Sequence, residues 1–432
     1  MGDDTVNKDL ETDLASRQGE RQEGVITLVL TADNHLGCAG FGQHPRKREE
    51  RQQRLRQAFQ QATNFAIMQG VDLFIQAGDL FDTATPDERD RSFVAERLAQ
   101  LKQAGIHTLA LGGVHDTPAP LVGETAPAPQ MSYAQLGALH YFPPVPAQES
   151  AELEPVMIDV RGTRVGFCGR GVLPGQQGDP LLPLRVSSEI ERADLALLLL
   201  HAPIEGLTSE SSLLDSRAVV SQSSIARQEI FRYVLAGYTH SYQQLQLGQT
   251  DVIVAGATQQ VDFQPQSSEP GFVFLGLTAE GIRWCTHVRV ESLTLNSLLI
   301  QTRELWSAAT TSTPTELILE RMRPFCHSDA MLQIRLEGEL TRSDYHRLDL
   351  NQIRRYGEEH CFALAIDDSA LSLLPEQDAS SVETGERFSP REELIALAEE
   401  WIAATSDVQE KQALTHTKEE LLLAMDEMKR KR

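Results

Sequence analysis

The sequence predicts an α/β fold built on more than one buried sheet, and three observations carry that reading. Short runs rich in Val, Ile and Leu alternate with longer polar, helix-compatible stretches: Val25 to Leu30, Val71 to Ala77, Ile106 to Leu111, Ala193 to Leu200 and Tyr233 to Ala236. Continuous apolar runs of this length suit strands covered on both faces. Each run then ends in residues of ligand type: Asp33 and His35, Asp79 and Asp82, His115 and Asp116, His201, and His240. Open α/β sheets gather ligands at the carboxyl ends of their strands, so these groups are expected to converge. Hairpin-like segments at "VMIDVRGTRVGFCG", "DVIVAG" and "GFVFLGLTAEGIRWCTHVRV" add strands beyond a single sheet.

Length and composition bound the rest. A chain of 432 residues with 41% hydrophobic content buries a full core and divides into two or three domains. No apolar run approaches the ~18 residues of a membrane span, and the N-terminus lacks a hydrophobic signal region, so a cytoplasmic protein with no membrane partner is expected. The five cysteines are scattered and form no C-x-x-C pair, which argues against a disulfide framework or a zinc knuckle and fits a reducing compartment. Cys38, three residues after His35, reads as a small packing residue rather than a ligand.

The net charge of −23 opposes general binding to a polyanion, so any contact with DNA is local or aided by metal. One local candidate is "HPRKREERQQRLR", where Arg46, Lys47, Arg48, Arg51, Arg54 and Arg56 face only Glu49 and Glu50. The segment reads first as a solvated helix face, and otherwise as a phosphate-contacting stripe.

Texture divides the chain into four parts. Residues 1–24 are polar, acidic and expected to be disordered, and residues 25–290 read as one large α/β domain. Residues 291–375 read as a small α+β module: a helix-like segment from Leu293 to Ser307, a Ser/Thr/Pro linker, the strand "MLQIRLEGEL", a helical stretch from Ser343 to about Glu359, and the strand "CFALAID". Residues 376–432 read as a linker and two helices, with capping boxes at Ser389-Pro390-Arg391-Glu392 and Thr417-Lys418-Glu419-Glu420. In the last helix Leu421, Leu422, Met425 and Met428 share a face that suits either internal packing or docking onto a partner helix.

Oxygen and imidazole donors without thiolate point to a hard or borderline divalent metal, Mn foremost, with Fe and Mg also compatible. The motifs "ADNH", "GDLFD", "GVHD", "LLLLHAPIEG" and "GYTH" resemble, in order and spacing, the D-x-H, G-D, G-N-H-D, isolated-His and G-H-x-H motifs of calcineurin-like metallophosphoesterases. Within that superfamily the chain is similar to SbcD-type DNA repair nucleases, including their YhaO-like branch. The Phe-Asp of "GDLFD", the later "GATQQVDF" and "SEPGFVFL", and the module after residue 291 carry that narrower resemblance.

The resemblance implies a four-layer sandwich, two central mixed sheets flanked by helices, with a DNA-contacting capping domain and C-terminal helices. It implies a two-metal site in which Asp33, His35, Asp79 and His240 hold one ion, and all four are present. The second ion would use Asp79, His201 and the positions occupied by Val114 and Tyr238, two of which depart from the family pattern. Val114 has no donor atom, and Tyr238 would coordinate only as a phenolate, against an ordinary pKa of ~10. One tight metal site is therefore expected and the second is degenerate. His115 would protonate the leaving 3′ oxygen, with Asp116 orienting its imidazole. The implied function is hydrolysis of DNA phosphodiester bonds by metal-activated water. The alternative is a catalytically weak subunit that binds DNA ends. In both, the expected partners are DNA, an SbcC-like SMC-type ATPase and a second copy of the chain.

Overall fold

The computed structural model describes residues 24–38, 45–118, 127–144, 152–171, 173, 175–182, 184–207, 218–263, 267–306, 312–374, 411, 415, 417 and 418. The N-terminal tail up to residue 23 and, those four positions apart, the expected C-terminal helices lie outside the described residues. The chain divides into two units between Leu374 and Pro375.

The first strands in chain order are β1 (Ile26–Thr31), β2 (Leu73–Gln76), β3 (His107–Leu111), β4 (His140–Phe142), β5 (Glu152–Leu153), β6 (Val156–Val160) and β7 (Thr163–Gly171). Next come β8 (Arg185–Val186), β9 (Leu195–His201), β10 (Tyr233–Gly237), β11 (Gln243–Leu247), β12 (Thr250–Val254), β13 (Gly271–Leu277) and β14 (Ile282–Arg289). The last are β15 (Thr294–Gln301), β16 (Ala330–Thr341) and β17 (Ala363–Leu374).

Two six-stranded sheets form the centre, ordered β14-β13-β1-β2-β3-β4 and β11-β12-β10-β9-β7-β6. Both are mixed. In the first, β1 to β4 run parallel and β13 is antiparallel to β1; in the second, β7, β9, β10 and β12 run parallel while β6 and β11 are antiparallel edges. All five apolar runs became strands here, and each is buried at every residue or all but one.

The layers follow from side-chain alternation. Leu28, Leu30, Leu73, Ile75, Leu109 and Leu111 of the first sheet meet Phe167, Leu197, Leu199, Leu235 and Ile253 of the second. The opposite faces are covered as well. Val29, Phe74 and Ala110 pack with Leu55, Phe59, Ala62, Val94 and Leu98 of helices Pro45–Gln69 and Glu88–Gln103. Leu198, Leu200, Val234 and Val252 pack with Ile190, Ala218 and Ile225 on the far side of the second sheet. Cys38 sits in the helix-side core, as its reading as a packing residue requires. The result is the expected helix, sheet, sheet, helix order.

The module that follows is a parallel sheet, β15-β16-β17, packed on helices Pro314–Met322 and Leu350–His360. It corrects the reading of Leu293 to Ser307 as helical. Residues Thr294 to Gln301 pair in register with Ala330 to Glu337, and only Thr302–Leu305 makes a helical turn. Leu295, Leu298 and Leu299 follow helical spacing while Leu298 and Ile300 share a strand face, and the ladder to β16 decides in favour of strand. The Ser/Thr/Pro stretch also does more than link: Thr313 and Glu316 form a reciprocal capping box with Pro314 at the first helical position. The helical stretch from Ser343 breaks in two, Arg342–Arg347 and Leu350–His360, because Asp349 caps the second by accepting from the Gln352 N–H at 2.8 Å.

Leu199 lies at the centre of the inter-sheet layer with no exposed surface. Leu199→Ala is expected to lower the unfolding free energy by about 2–5 kcal/mol. Chemical denaturation checks this, and a loss below ~1 kcal/mol would show that the two sheets do not pack tightly there.

Candidate metal centre

The carboxyl ends of β1, β2 and β3 in one sheet, and of β9 and β10 in the other, deliver their ligand-type residues to one place. The backbone there is unusual. Asp33 (φ 49°), His35 (φ 45°), Asp79 (φ 51°) and Tyr238 (φ 88°) all occupy positive φ, a region that non-glycine residues enter at a cost of roughly 1–3 kcal/mol each. Cross-links hold them in it. The Asp33 N–H donates to the Gly78 carbonyl at 3.0 Å, the His35 N–H to the Asp79 carbonyl at 3.1 Å, and the Tyr238 N–H to the Asp33 carboxylate at 3.0 Å. Beneath the turns a buried amide chain ties β1 to β2. Gln76 donates to the Gly78 carbonyl (2.7 Å) and to Asn34 Oδ1 (3.2 Å), and Asn34 donates to Thr31 and Thr258.

Three histidines share one arrangement. Nδ1 of His35 meets Asp82 at 2.9 Å, Nδ1 of His240 meets Asp262 at 2.9 Å, and Nδ1 of His201 meets the Ala77 carbonyl at 2.7 Å. A carbonyl or carboxylate only accepts, so each Nδ1 carries the hydrogen and Nε2 is the atom left for a ligand. The Nε2 atoms of His35 and His201 are buried and make no hydrogen bond. His201 Nε2 lies 3.2 Å from Asp79 Oδ2 without hydrogen-bond alignment, and His35 Nε2 lies 3.9 Å from the same oxygen. Donor atoms of Asp33, His35 and His240, of His35, Asp79 and His115, and of Asp33, Asp79 and His201 come within 4.8 Å of one another in each group. Orphaned imidazole nitrogens facing buried carboxylates are the donor set a divalent cation completes.

Electrostatics agrees with this geometry. Burial alone would depress the His201 imidazolium, but Asp79 opposite it, with Asp33 and the Ala77 carbonyl, holds its pKa up at about 9. Burial likewise opposes charge on His35, and Asp82, Asp79 and Asp33 together still raise its pKa. Burial would raise Asp79, yet the surrounding imidazoles hold it well below the usual carboxylate range.

The sequence-predicted residues thus fall into distinct places. Asp33, His35, Asp79, His201, His240 and His115 are brought together, with His115 exposed and its ring 4.8 Å from that of His35. Val114 and Tyr238 are half-buried at the site's edge, and the Tyr238 ring meets that of His201 edge-on at 5.7 Å. Asp116 requires correction. Its buried carboxylate accepts from the backbone N–H groups of Gly113 (2.9 Å), Leu80 (2.8 Å) and Phe81 (3.3 Å), and from the Gln130 side chain. A carboxylate without solvent needs such donors, and these clamp two loops together instead of orienting the His115 ring.

The basic segment is corrected too. Arg51 is fully buried and donates to the Gln260 carbonyl, so it is unavailable to phosphate. Lys47 donates to the carbonyls of Glu358 (2.5 Å) and Cys361 (2.8 Å), Arg54 pairs with Asp329 (2.5 Å), and buried Arg56 pairs with Asp90 (2.8 Å). Arg46 and Arg48 are exposed. Sequence reasoning passed over Asp262 and Gln130. The Asp in "GATQQVDF" was the available signal for the first, and nothing local marks the second.

Strand ends from two sheets meeting on carboxylates and imidazoles define a metal-binding α/β protein. The calcineurin-like phosphoesterase family (Metallophos) matches residues 26–242, half of the 432 residues, and the chain belongs to that family. Among curated relatives, the DNA double-strand break repair protein Mre11 of Saccharolobus solfataricus is 31% identical over 94 residues, covering 22% of this chain and 23% of the relative. The protein of the same name from Aeropyrum pernix is 36% identical over 91 residues, covering 21% of each chain. The match therefore spans less than a quarter of the length of these relatives. Among solved structures, a dimetal phosphatase from Danio rerio aligns with a TM-score of 0.35 at 11% identity, over 62% of this chain and 99% of that one. A 5'-nucleotidase, titled as putative, from Staphylococcus aureus aligns with a TM-score of 0.33 at 13% identity, over 70% and 59%.

Two predictions test the centre. Gly78 lies at φ 96°, and a Cβ there would collide with the His201 ring at Nδ1. Gly78→Ala is therefore expected to weaken the second, looser Mn2+ site by about 10–100-fold while the tight ion stays bound, measured by titration calorimetry. Unchanged affinity at that second site would show that His201 is not one of its ligands. At neutral pH the metal-free His201 carries a proton that ligation through Nε2 must expel. Mn2+ affinity at the second site should then rise about tenfold per pH unit per proton released, and level off above pH 9.

Proposed function

We propose that this chain is a metal-dependent phosphodiesterase of the SbcD type that hydrolyses DNA phosphodiester bonds, using one complete metal site and one incomplete one. The observation that carries the reading is the shared arrangement of His35, His201 and His240, each with Nδ1 fixed by an oxygen and Nε2 left to ligate. Membership in the calcineurin-like phosphoesterase family and the partial likeness to proteins named for DNA double-strand break repair support it.

Asp33, His35, Asp79 and His240 would hold the tight ion, for which Mn2+ suits the oxygen and imidazole donors. When bound, the metal supplies an activated water and a clamp for the phosphate. The chain's own groups do the rest. Asp82 and Asp262 fix the tautomers and ring planes of His35 and His240. His115 stands at the exposed rim with its backbone N–H held by Asp79 at 2.8 Å, placed to pass a proton to the departing 3′ oxygen. Asp116 holds the loop that carries His115. Arg46 and Arg48 are exposed and lie in the segment where a phosphate backbone would pass. In this reading the protein is cytoplasmic, residues 291–375 act as a DNA-contacting cap, and residues 376–432 dock an SbcC-like ATPase. The chain acts as a homodimer. No helix among the described residues is long and apolar enough to cross a membrane.

A second reading, a catalytically weak subunit that holds DNA ends beside the same ATPase, is favoured by Val114 and Tyr238. His115→Ala separates the two. It is expected to reduce Mn2+-dependent cleavage of linear DNA by about 10²–10⁴-fold while metal content and DNA binding persist. Unchanged cleavage would reject His115 as the acid. A Val114→Asn, Tyr238→His double variant is expected to cleave faster than the native chain. Cleavage absent from the native chain and present only in the double variant would establish the binding reading.

A further inference from the structure

Outside the metal centre, two cysteines from distant parts of the sequence meet in the three-stranded module. Cys326 follows the 3-10 turn Arg323–Phe325, and Cys361 closes helix Leu350–His360, its N–H donating to the Gly357 carbonyl at 2.9 Å. Their sulfurs lie 2.6 Å apart, about half an ångström beyond the ~2.05 Å of an S–S bond. Cys361 is buried and Cys326 half-buried. The neighbouring His360 is committed to Tyr356, with Nδ1 2.9 Å from its carbonyl and the two rings stacked at 4.1 Å. The clusters of three or more metal-binding side chains among the described residues do not include this pair.

The pair sits where the module is gripped. Lys47 donates to the carbonyl of Cys361 itself at 2.8 Å and to that of Glu358 at 2.5 Å. The Arg54 guanidinium lies 5.8 Å from the centre of the adjacent Phe362 ring and pairs with Asp329 at 2.5 Å. Holding Cys361 in place therefore holds the acceptors that helix Pro45–Gln69 uses to bind the module.

We propose that Cys326 and Cys361 form a reversible thiol–disulfide pair, a redox modification site that fastens the module at its contact with helix Pro45–Gln69. The oxidant class is a peroxide. The more exposed Cys326 sulfur attacks one peroxide oxygen, breaking the O–O bond and giving a sulfenic acid and water. The Cys361 sulfur then attacks the sulfenic sulfur, forming the S–S bond as the hydroxyl leaves as a second water. Two thiols and one hydrogen peroxide become one disulfide and two waters, and a dithiol reductant reverses the change. Oxidation closes a loop of 35 residues in sequence separation, which restricts the unfolded chain and stabilises the module.

The test uses the reduced full-length chain exposed to graded hydrogen peroxide, with the remaining thiols then blocked by alkylation and the protein digested for mass spectrometry. The expected result is a linked peptide pair containing Cys326 and Cys361, lighter by two hydrogens than the separate peptides. Free thiols should fall from five to three per chain and return with dithiothreitol. The thermal midpoint should rise by several degrees on oxidation, and that rise should vanish in Cys326→Ser. Cys326 is half-buried, so this variant keeps the fold if the buried Cys361→Ser does not. Recovery of Cys326 and Cys361 as separately alkylated or separately over-oxidised peptides would overturn the proposal, as would linkage of either to another cysteine.

Discussion

The Asp79 carboxylate is the point on which the rest of the site depends. It is buried, and its two oxygens have different tasks. Oδ1 accepts the His115 N–H at 2.8 Å and so belongs to the scaffold. Oδ2 faces His201 from the second sheet at 3.2 Å and His35 from the first at 3.9 Å. A single oxygen thus joins the carboxyl ends of both sheets. A buried carboxylate tolerates this only with positive charge beside it, either imidazolium protons or a metal. The close quarters around it follow: a Cβ on Gly113 would strike Asp79, and one on Gly237 would strike the Ala77 carbonyl and the Ala32 side chain. Glycine at these positions lets two sheets approach closely enough to share one anion.

Under the proposed reading, the same geometry lets Val114 and Tyr238 stand at two ligand positions while the site keeps its shape. In the loop Gly113-Val114-His115-Asp116, the contacts that hold the backbone come from the Gly113 and His115 N–H groups and the Asp116 carboxylate. None of these contacts uses the side chain at 114, so a valine there removes a donor and leaves His115 in place. Tyr238 is comparable. Its N–H braces the Asp33 carboxylate and its backbone takes the positive φ, whatever side chain it carries. Backbone roles independent of the side chains at 114 and 238 are compatible with the proposed asymmetric centre, in which the side of His35 and His240 would be complete and the side of His201 would have fewer donors.

Much of this was legible in the sequence because it is local. The strands read clearly since both faces of each central strand are buried, and ligand residues at their ends are a pattern of a few positions. What failed to read depends on partners far along the chain. Arg51 looks like a surface cation, yet its acceptor, the Gln260 carbonyl, lies 209 residues away. Asp116 sits beside His115 in sequence, but buried backbone donors on the β2 loop compete for it and prevail. The run from Thr294 to Gln301 carries no periodicity strong enough to choose strand over helix, and pairing with β16 makes the choice. Cys326 and Cys361 share no motif at all; the end of one helix and a 3-10 turn bring them together.

The proposed asymmetry of the centre is its most direct point of attack. Elemental analysis of the full chain, equilibrated with Mn2+ and then passed through desalting to remove weakly held ions, counts the tightly bound metals per chain. A centre complete around Asp33, His35, Asp79 and His240 and deprived of donors at Val114 and Tyr238 retains one ion. Two ions held with equal tenacity would contradict it, and would mean that His201, Asp79 and water suffice for the second site.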